Sequence, residues 1–240
     1  MEHVVVGTGT PAIVLINGSG GPIEGWHKVL VPLGELSTVF AYNRPGVGGS
    51  SKPTTPQTVD HMADTLRALL RKIELPSPYV LVGHSLGGLI VQLLARQYPS
   101  DVAAIVMLDA TAPEDPAVMA DYETIPQRIV RRTMDALFSG DANAETKHVA
   151  RTSATIEQAG PFPAVPLLVV TGGKPAMRWG TAAKAQAKRA DHQQKLARLS
   201  PFGRQIIAER SGHFPQFTEP EIVVAAVREA LTLARAARAN

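Results

Sequence analysis

One stretch constrains the fold of this chain more than any other: Tyr79-Val80-Leu81-Val82-Gly83-His84-Ser85-Leu86-Gly87-Gly88. An apolar, β-prone run ends in Gly-x-Ser-x-Gly, and a helix-like segment over residues 89–98 follows at once. A strand that turns this sharply into a helix strains the backbone of the central residue and lifts its side chain clear of the sheet. The backbones crowd there, so small residues are needed two before and two after, and Gly83 and Gly87 supply them. A serine hydroxyl is a weak nucleophile at neutral pH. It needs a base, a group to orient the base, and donors for the oxyanion.

Around this turn, apolar runs alternate with helical patterns, which predicts a mostly parallel sheet flanked by helices. Strands are predicted at 12–16, 38–42, 79–84, 102–108, 166–171 and 204–208, with a strand-like Val4-Val5-Val6 near the start. Between the second and third of these, Val59, Met62, Ala63, Leu66, Leu69, Leu70 and Ile73 recur at helical spacing. Residues 182–199 and 221–237 read as further helices. The alternation breaks between Pro113 and Pro163, where two helical patterns follow each other with no strand between them. The expected organisation is one core, residues 1–112 and 164–240, carrying an inserted helical cap over 113–163.

Composition narrows the chemistry. There is no cysteine, so a thiol nucleophile, a disulfide and a Cys-containing metal site are excluded. No histidine pair has a metal-ligand spacing on a confident helix. No run is apolar enough to span a bilayer, and Met1-Glu2-His3 does not read as a secretory leader, so a cytoplasmic protein is expected. The net charge is +3, with positive residues gathered late: Lys174, Arg178, Lys184, Lys188, Arg189, Lys195, Arg198, Arg204 and Arg210. No aromatic residues are interleaved with them as a nucleic-acid platform requires, so they read as a solvated helix face rather than a surface for an acidic partner. No Gly-x-Gly-x-x-Gly opens a helix and no P-loop is present, so no nucleotide cofactor is expected.

Four separated signals together resemble the α/β-hydrolase superfamily, over nearly the whole chain: Asn17-Gly18-Ser19-Gly20-Gly21 after an early strand, Asn43-Arg44-Pro45-Gly46-Val47-Gly48-Gly49-Ser50 after the next, the Ser85 pentapeptide, and Ser211-Gly212-His213-Phe214 after the last. The resemblance implies an α/β-hydrolase fold with a small helical cap, no cofactor, and a catalytic triad. Ser85 is the implied nucleophile and His213 the implied base. The backbone N–H groups of Leu86, just past the nucleophile, and of Ser19, in a loop loosened by Gly18 and Gly20, are the implied oxyanion donors. Asn17 stands where the family more often has histidine. His84 is read as packing, with its side chain turned away from Ser85. Arg44 and the glycines after it are read as structural.

The acid departs from the usual pattern. The family commonly places it after the strand at 166–171, but Gly172-Gly173-Lys174-Pro175 holds no carboxylate. Haloalkane dehalogenases carry it after the preceding strand, where Asp109 stands here; Glu114, Asp115 and Asp191 are the alternatives. An unpaired carboxylate beside the apolar run 104–108 would be costly, and a histidine N–H would satisfy it. Met119, Tyr122, Met134 and Phe138 are candidates for an apolar acyl pocket under the cap, or for the cap's own core. The function expected is hydrolysis of a carboxylic ester or thioester of a small molecule. The alternatives are C–C bond hydrolysis, acyl transfer, or a slow-turnover receptor on the same fold.

Overall fold

The structure is a computed structural model that describes residues 1–115, 145, 148, 152–174 and 183–239. Among the described residues seven strands form one sheet: β1 (His3–Val6), β2 (Ile13–Ile16), β3 (Val39–Tyr42), β4 (Tyr79–His84), β5 (Val102–Leu108), β6 (Leu167–Gly172) and β7 (Gly203–Ala208). Their order is β1-β3-β2-β4-β5-β6-β7. Only β1 runs antiparallel, paired with β3; every other pairing is parallel. Among the described residues the helices are α1 (His27–Gly34), α2 (Val59–Lys72), α3 (Gly87–Gln97), α4 (Thr152–Gln158), α5 (Ala183–Ala197) and α6 (Pro220–Ala239), with short helical turns at Ile23–Trp26, Pro99–Asp101 and Pro215–Thr218. Among the described residues no helix is long and apolar enough to cross a membrane.

The central strands are apolar throughout because both faces are covered. Along β2, Val14 and Ile16 enter one apolar layer with α2 and α3, while Ile13 and Leu15 enter the other with α1 and α6. Each such fully buried aliphatic side chain stabilises the fold by roughly 1.5–3 kcal/mol. The edge strand β1 shows the opposite pattern, alternating exposed and half-buried residues.

Helix α2 forms over the apolar stripe that the sequence predicts. Val59, Met62, Ala63, Leu66 and Leu70 are buried, and Asp60 in the first turn with Arg71 and Lys72 in the last complement the helix dipole. Helix α4 packs Ile156 into the same apolar layer.

This topology decides where chemistry can occur. Parallel strands end on one edge, so the turns after β2, β4, β5 and β7 lie together. The β4–β5 register pairs His84 with Leu108. The next residue on each strand, Ser85 and Asp109, therefore emerge side by side.

Candidate active site

Both residues stand in the left-handed region, Ser85 at φ 50° and Asp109 at φ 41°. A non-glycine residue there carries strain of order 1–3 kcal/mol, so surrounding bonds must hold it. They do: the Ser85 N–H donates to the Leu108 carbonyl at 3.2 Å, and the Thr111 N–H donates back to the Ser85 carbonyl at 3.0 Å. The Asp109 N–H donates to the Val170 carbonyl at 2.7 Å. Gly87 is required because a Cβ there would collide with the Ile16 carbonyl. At Gly18 a Cβ would lie 3.0 Å from both Ser85 Cβ and His84 Nδ1, tighter than ordinary contact, so a side chain there would press the loop away from the serine.

The loop after β7 carries His213 across the sheet edge. Its Nε2 is 3.0 Å from Ser85 Oγ and its Nδ1 is 2.7 Å from Asp109 Oδ2. Asp109 Oδ1 also accepts the Gly172 N–H at 3.2 Å. Burial pushes the Asp109 carboxyl upward, but the His213 hydrogen bond and the Arg189 charge outweigh it and hold the group below the ordinary carboxylate range. The other three acid candidates sit elsewhere. Asp115 pairs with buried His192 at 2.6 Å, Asp191 lies exposed beside Lys195, and Glu114 is exposed.

The loop after β2 is braced more firmly than the sequence suggests. Asn17 Oδ1 accepts the Gly18 N–H at 3.1 Å, and its Nδ2 donates to the Pro22 carbonyl at 2.6 Å. Buried Arg44 donates from Nη1 to the Asn17 carbonyl at 2.7 Å and from Nη2 to the Gly18 carbonyl. Its Nε reaches Glu145 Oε2 at 2.6 Å, and Glu145 Oε1 accepts the Gly20 N–H at 2.5 Å. Burial raises the Glu145 carboxyl, but Arg44 and these loop donors pull it down further. Ser19 is thus gripped on both sides. Among the described residues, neither its N–H nor that of Leu86 at the start of α3 has a backbone acceptor.

His84 does not turn away from the site. It is buried, its ring centroid lies 4.9 Å from that of His213, and its Nε2–H donates to the His213 carbonyl at 2.8 Å. Backing from Trp26 and the loop after β7 draws the last ring of the strand under His213, which alternation along the strand does not anticipate. Its Nδ1 is buried without a protein partner among the described residues. Burial first, and then the neighbouring His213, push its pKa down to about 4, so it is neutral at pH 7.

Three residues escaped the sequence reading. Arg189 on α5 donates to Asp109 Oδ2 at 2.5 Å, so that part of the basic segment is no solvated face. Glu145 lies in a segment with no motif. Phe214 is 49% exposed with its ring edge-on to His213, and its place in Ser-Gly-His-Phe was the available signal. The pocket candidates Met119, Tyr122, Met134 and Phe138 lie outside the described residues. Among the described residues no cluster of histidine, aspartate and glutamate could hold a metal.

The chain is similar to YqjL of Bacillus subtilis, with 25% identity over 222 residues, covering 92% of this chain and 83% of the relative. Several further curated relatives are longer, and the chain spans only 22–30% of their length. Among solved structures it is similar to a thermophilic esterase from Thermogutta terrifontis, with a TM-score of 0.69 and 21% identity, covering 97% of this chain and 93% of that one. It is also similar to Est816, described as an N-acyl homoserine lactone degrading enzyme, with a TM-score of 0.66, 20% identity and 95% of each chain covered. At these identities the structural likeness speaks for the fold. The model of the alpha/beta hydrolase fold family matches residues 11–162, well over half the chain, and the protein therefore belongs to the α/β-hydrolase family.

Proposed function

We propose that the protein is a serine hydrolase that cleaves a carboxylic ester or thioester through an acyl-enzyme. The observation that carries this reading is the continuous relay from Ser85 Oγ through the two nitrogens of His213 to Asp109 Oδ2, at 3.0 and 2.7 Å. Ser85 Oγ attacks the substrate carbonyl as His213 Nε2 takes its proton. Asp109 holds Nδ1–H, which fixes the tautomer with its lone pair toward Ser85 and stabilises the imidazolium. The N–H groups of Ser19 and Leu86 receive the developing oxyanion, a term worth about 10²–10³ in kcat per donor. His213 then returns the proton to the leaving alkoxide or thiolate. Water, deprotonated by His213, attacks the acyl-enzyme and restores Ser85.

An activated acyl carbonyl asks for a nucleophile, a base and oxyanion donors, and Ser85, His213 and the N–H groups of Ser19 and Leu86 would supply them. The lactone-degrading description of Est816 makes cyclic esters a sensible arm of a screen, since a lactone opens by the same steps. The test is labelling by an alkyl phosphonate probe together with burst kinetics on an activated ester. The wild type is expected to label and to show a burst, and Ser85→Ala to lose both while keeping its circular dichroism. Undiminished labelling of Ser85→Ala would overturn the assignment.

A further inference from the structure

We propose that Arg189 is a positioning residue that sets the acidity of the Asp109–His213 pair, keeping His213 an unprotonated base to lower pH than an aspartate–histidine pair would alone. The proposal rests on the serine-hydrolase reading above and deepens it.

The geometry is specific. Arg189 Nη2 lies 2.5 Å from Asp109 Oδ2, the same oxygen that accepts His213 Nδ1–H at 2.7 Å. The same Nη2 lies 3.1 Å from the Asp109 carbonyl oxygen and 3.5 Å from His213 Nδ1. Both nitrogens of that last pair point their hydrogens at one carboxylate oxygen, so the contact between them sets donor against donor. The guanidinium stays charged at every working pH. An aspartate–histidine pair goes from −1 to 0 when the histidine is protonated; with Arg189 in contact it goes from 0 to +1. The carboxylate's hold on the imidazolium is divided between two cations, and the second cation stands against the imidazolium edge. Protonating His213 therefore costs more, and the base remains available as the medium acidifies.

Among the described residues, the titratable and charged groups that contact His213 come from every element packed on it: Ser85 after β4, His84 at the end of β4, Asp109 after β5, and Arg189 from α5. His84 is neutral near pH 7 and bonds the His213 carbonyl rather than its ring nitrogens. Among the described residues, Asp109 and Arg189 are thus the charges in contact with the ring.

The experiment is a pH titration of the His213 ring by heteronuclear NMR in the Ser85→Ala protein, with and without Arg189→Gln, paired with the kcat/KM pH profile of the active enzyme. Loss of Arg189 is expected to move both the His213 midpoint and the acidic limb upward by about one pH unit. Arg189→Lys, which keeps the charge, is expected to restore most of the shift. Should Arg189→Gln not fold, Arg189→Met keeps the stem without the charge and gives the same test. A His213 midpoint unchanged within about 0.2 unit, even with lower activity, would reduce Arg189 to an anchor for α5 and overturn the proposal. The ring titration needs no turnover, so it stands or falls separately from the phosphonate test of Ser85.

Discussion

Two arginines flank the candidate site, and they are set to opposite work. On the side of the Ser19 loop, Arg44 is buried at 3% side-chain exposure, its charge met by Glu145, and its remaining donors grip two backbone carbonyls. On the acid side, Arg189 is 27% exposed and touches the ionisable pair itself. Arg44 meets no group proposed to change protonation in the reaction, so its influence is on shape. Arg189 shares an oxygen with His213, so its influence is on charge. The same side chain tunes a backbone in one place and an acidity in the other, and only its neighbours decide which.

The largest effect that would break this comparison lies on the acid side. Asp109→Asn keeps the shape of the carboxylate but favours the wrong imidazole tautomer, and a loss on the order of 10⁴ in kcat is expected from serine-protease precedent. The same change at Asp115, Asp191 or Glu114 should cost far less, as none of them touches His213. Assays of all four variants on one activated ester decide it. If Asp109→Asn stays within about tenfold of the parent, the acid side is not built as described.

On the other side, Arg44→Met leaves the Asn17 and Gly18 carbonyls and the Glu145 carboxylate without their partner. A kcat loss of about 10² is expected as the Ser19 donor loosens, and breaking a buried ion pair costs about 3–5 kcal/mol. The shape of the pH profile should not change. A shifted acidic limb in Arg44→Met would erase the distinction between the two arginines.

The smallest effect concerns His84. Its folded pKa of about 4 lies below the unfolded value of about 6.5, so the unfolded chain takes up a proton first as pH falls. Stability from this group is full above the unfolded pKa and drains away as pH drops from about 6.5 toward 4. By pH 4.5 the loss is on the order of 2–3 kcal/mol. Urea unfolding at pH 7 and 4.5 should show this drop in the wild type and a smaller one in His84→Gln. Equal drops would place the acid sensitivity in other groups.

What was legible in the sequence follows from the range of the signals. Ser85 and His213 sit in short local patterns tied to strand ends, and a strand end is fixed by an apolar run a few residues long. Asp109 stands out in the sequence because 172–175 offers no carboxylate, and the β4–β5 register brings it beside Ser85. Arg189 stayed hidden because a helix rich in lysine and arginine has the same composition whether one of its charges meets solvent or a buried carboxylate 80 positions away. Glu145 was hidden for the same reason at 101 positions from Arg44. His84 packs as the sequence predicts, but its direction is not legible there: alternation describes a strand's interior, while the orientation of its last residue is set by the loops that fold over the end.

The Arg44–Glu145 pair has a consequence for how this protein can change over generations. Either charge alone is stranded where water is scarce, so a descendant that loses one is under pressure to lose the other, although they lie in different parts of the gene. Since Glu145 arises between β5 and β6, exchanging that stretch for a relative's also exchanges the partner of Arg44 and of the Gly20 N–H, and a transplant without a carboxylate at this point would arrive with the Ser19 loop loosened.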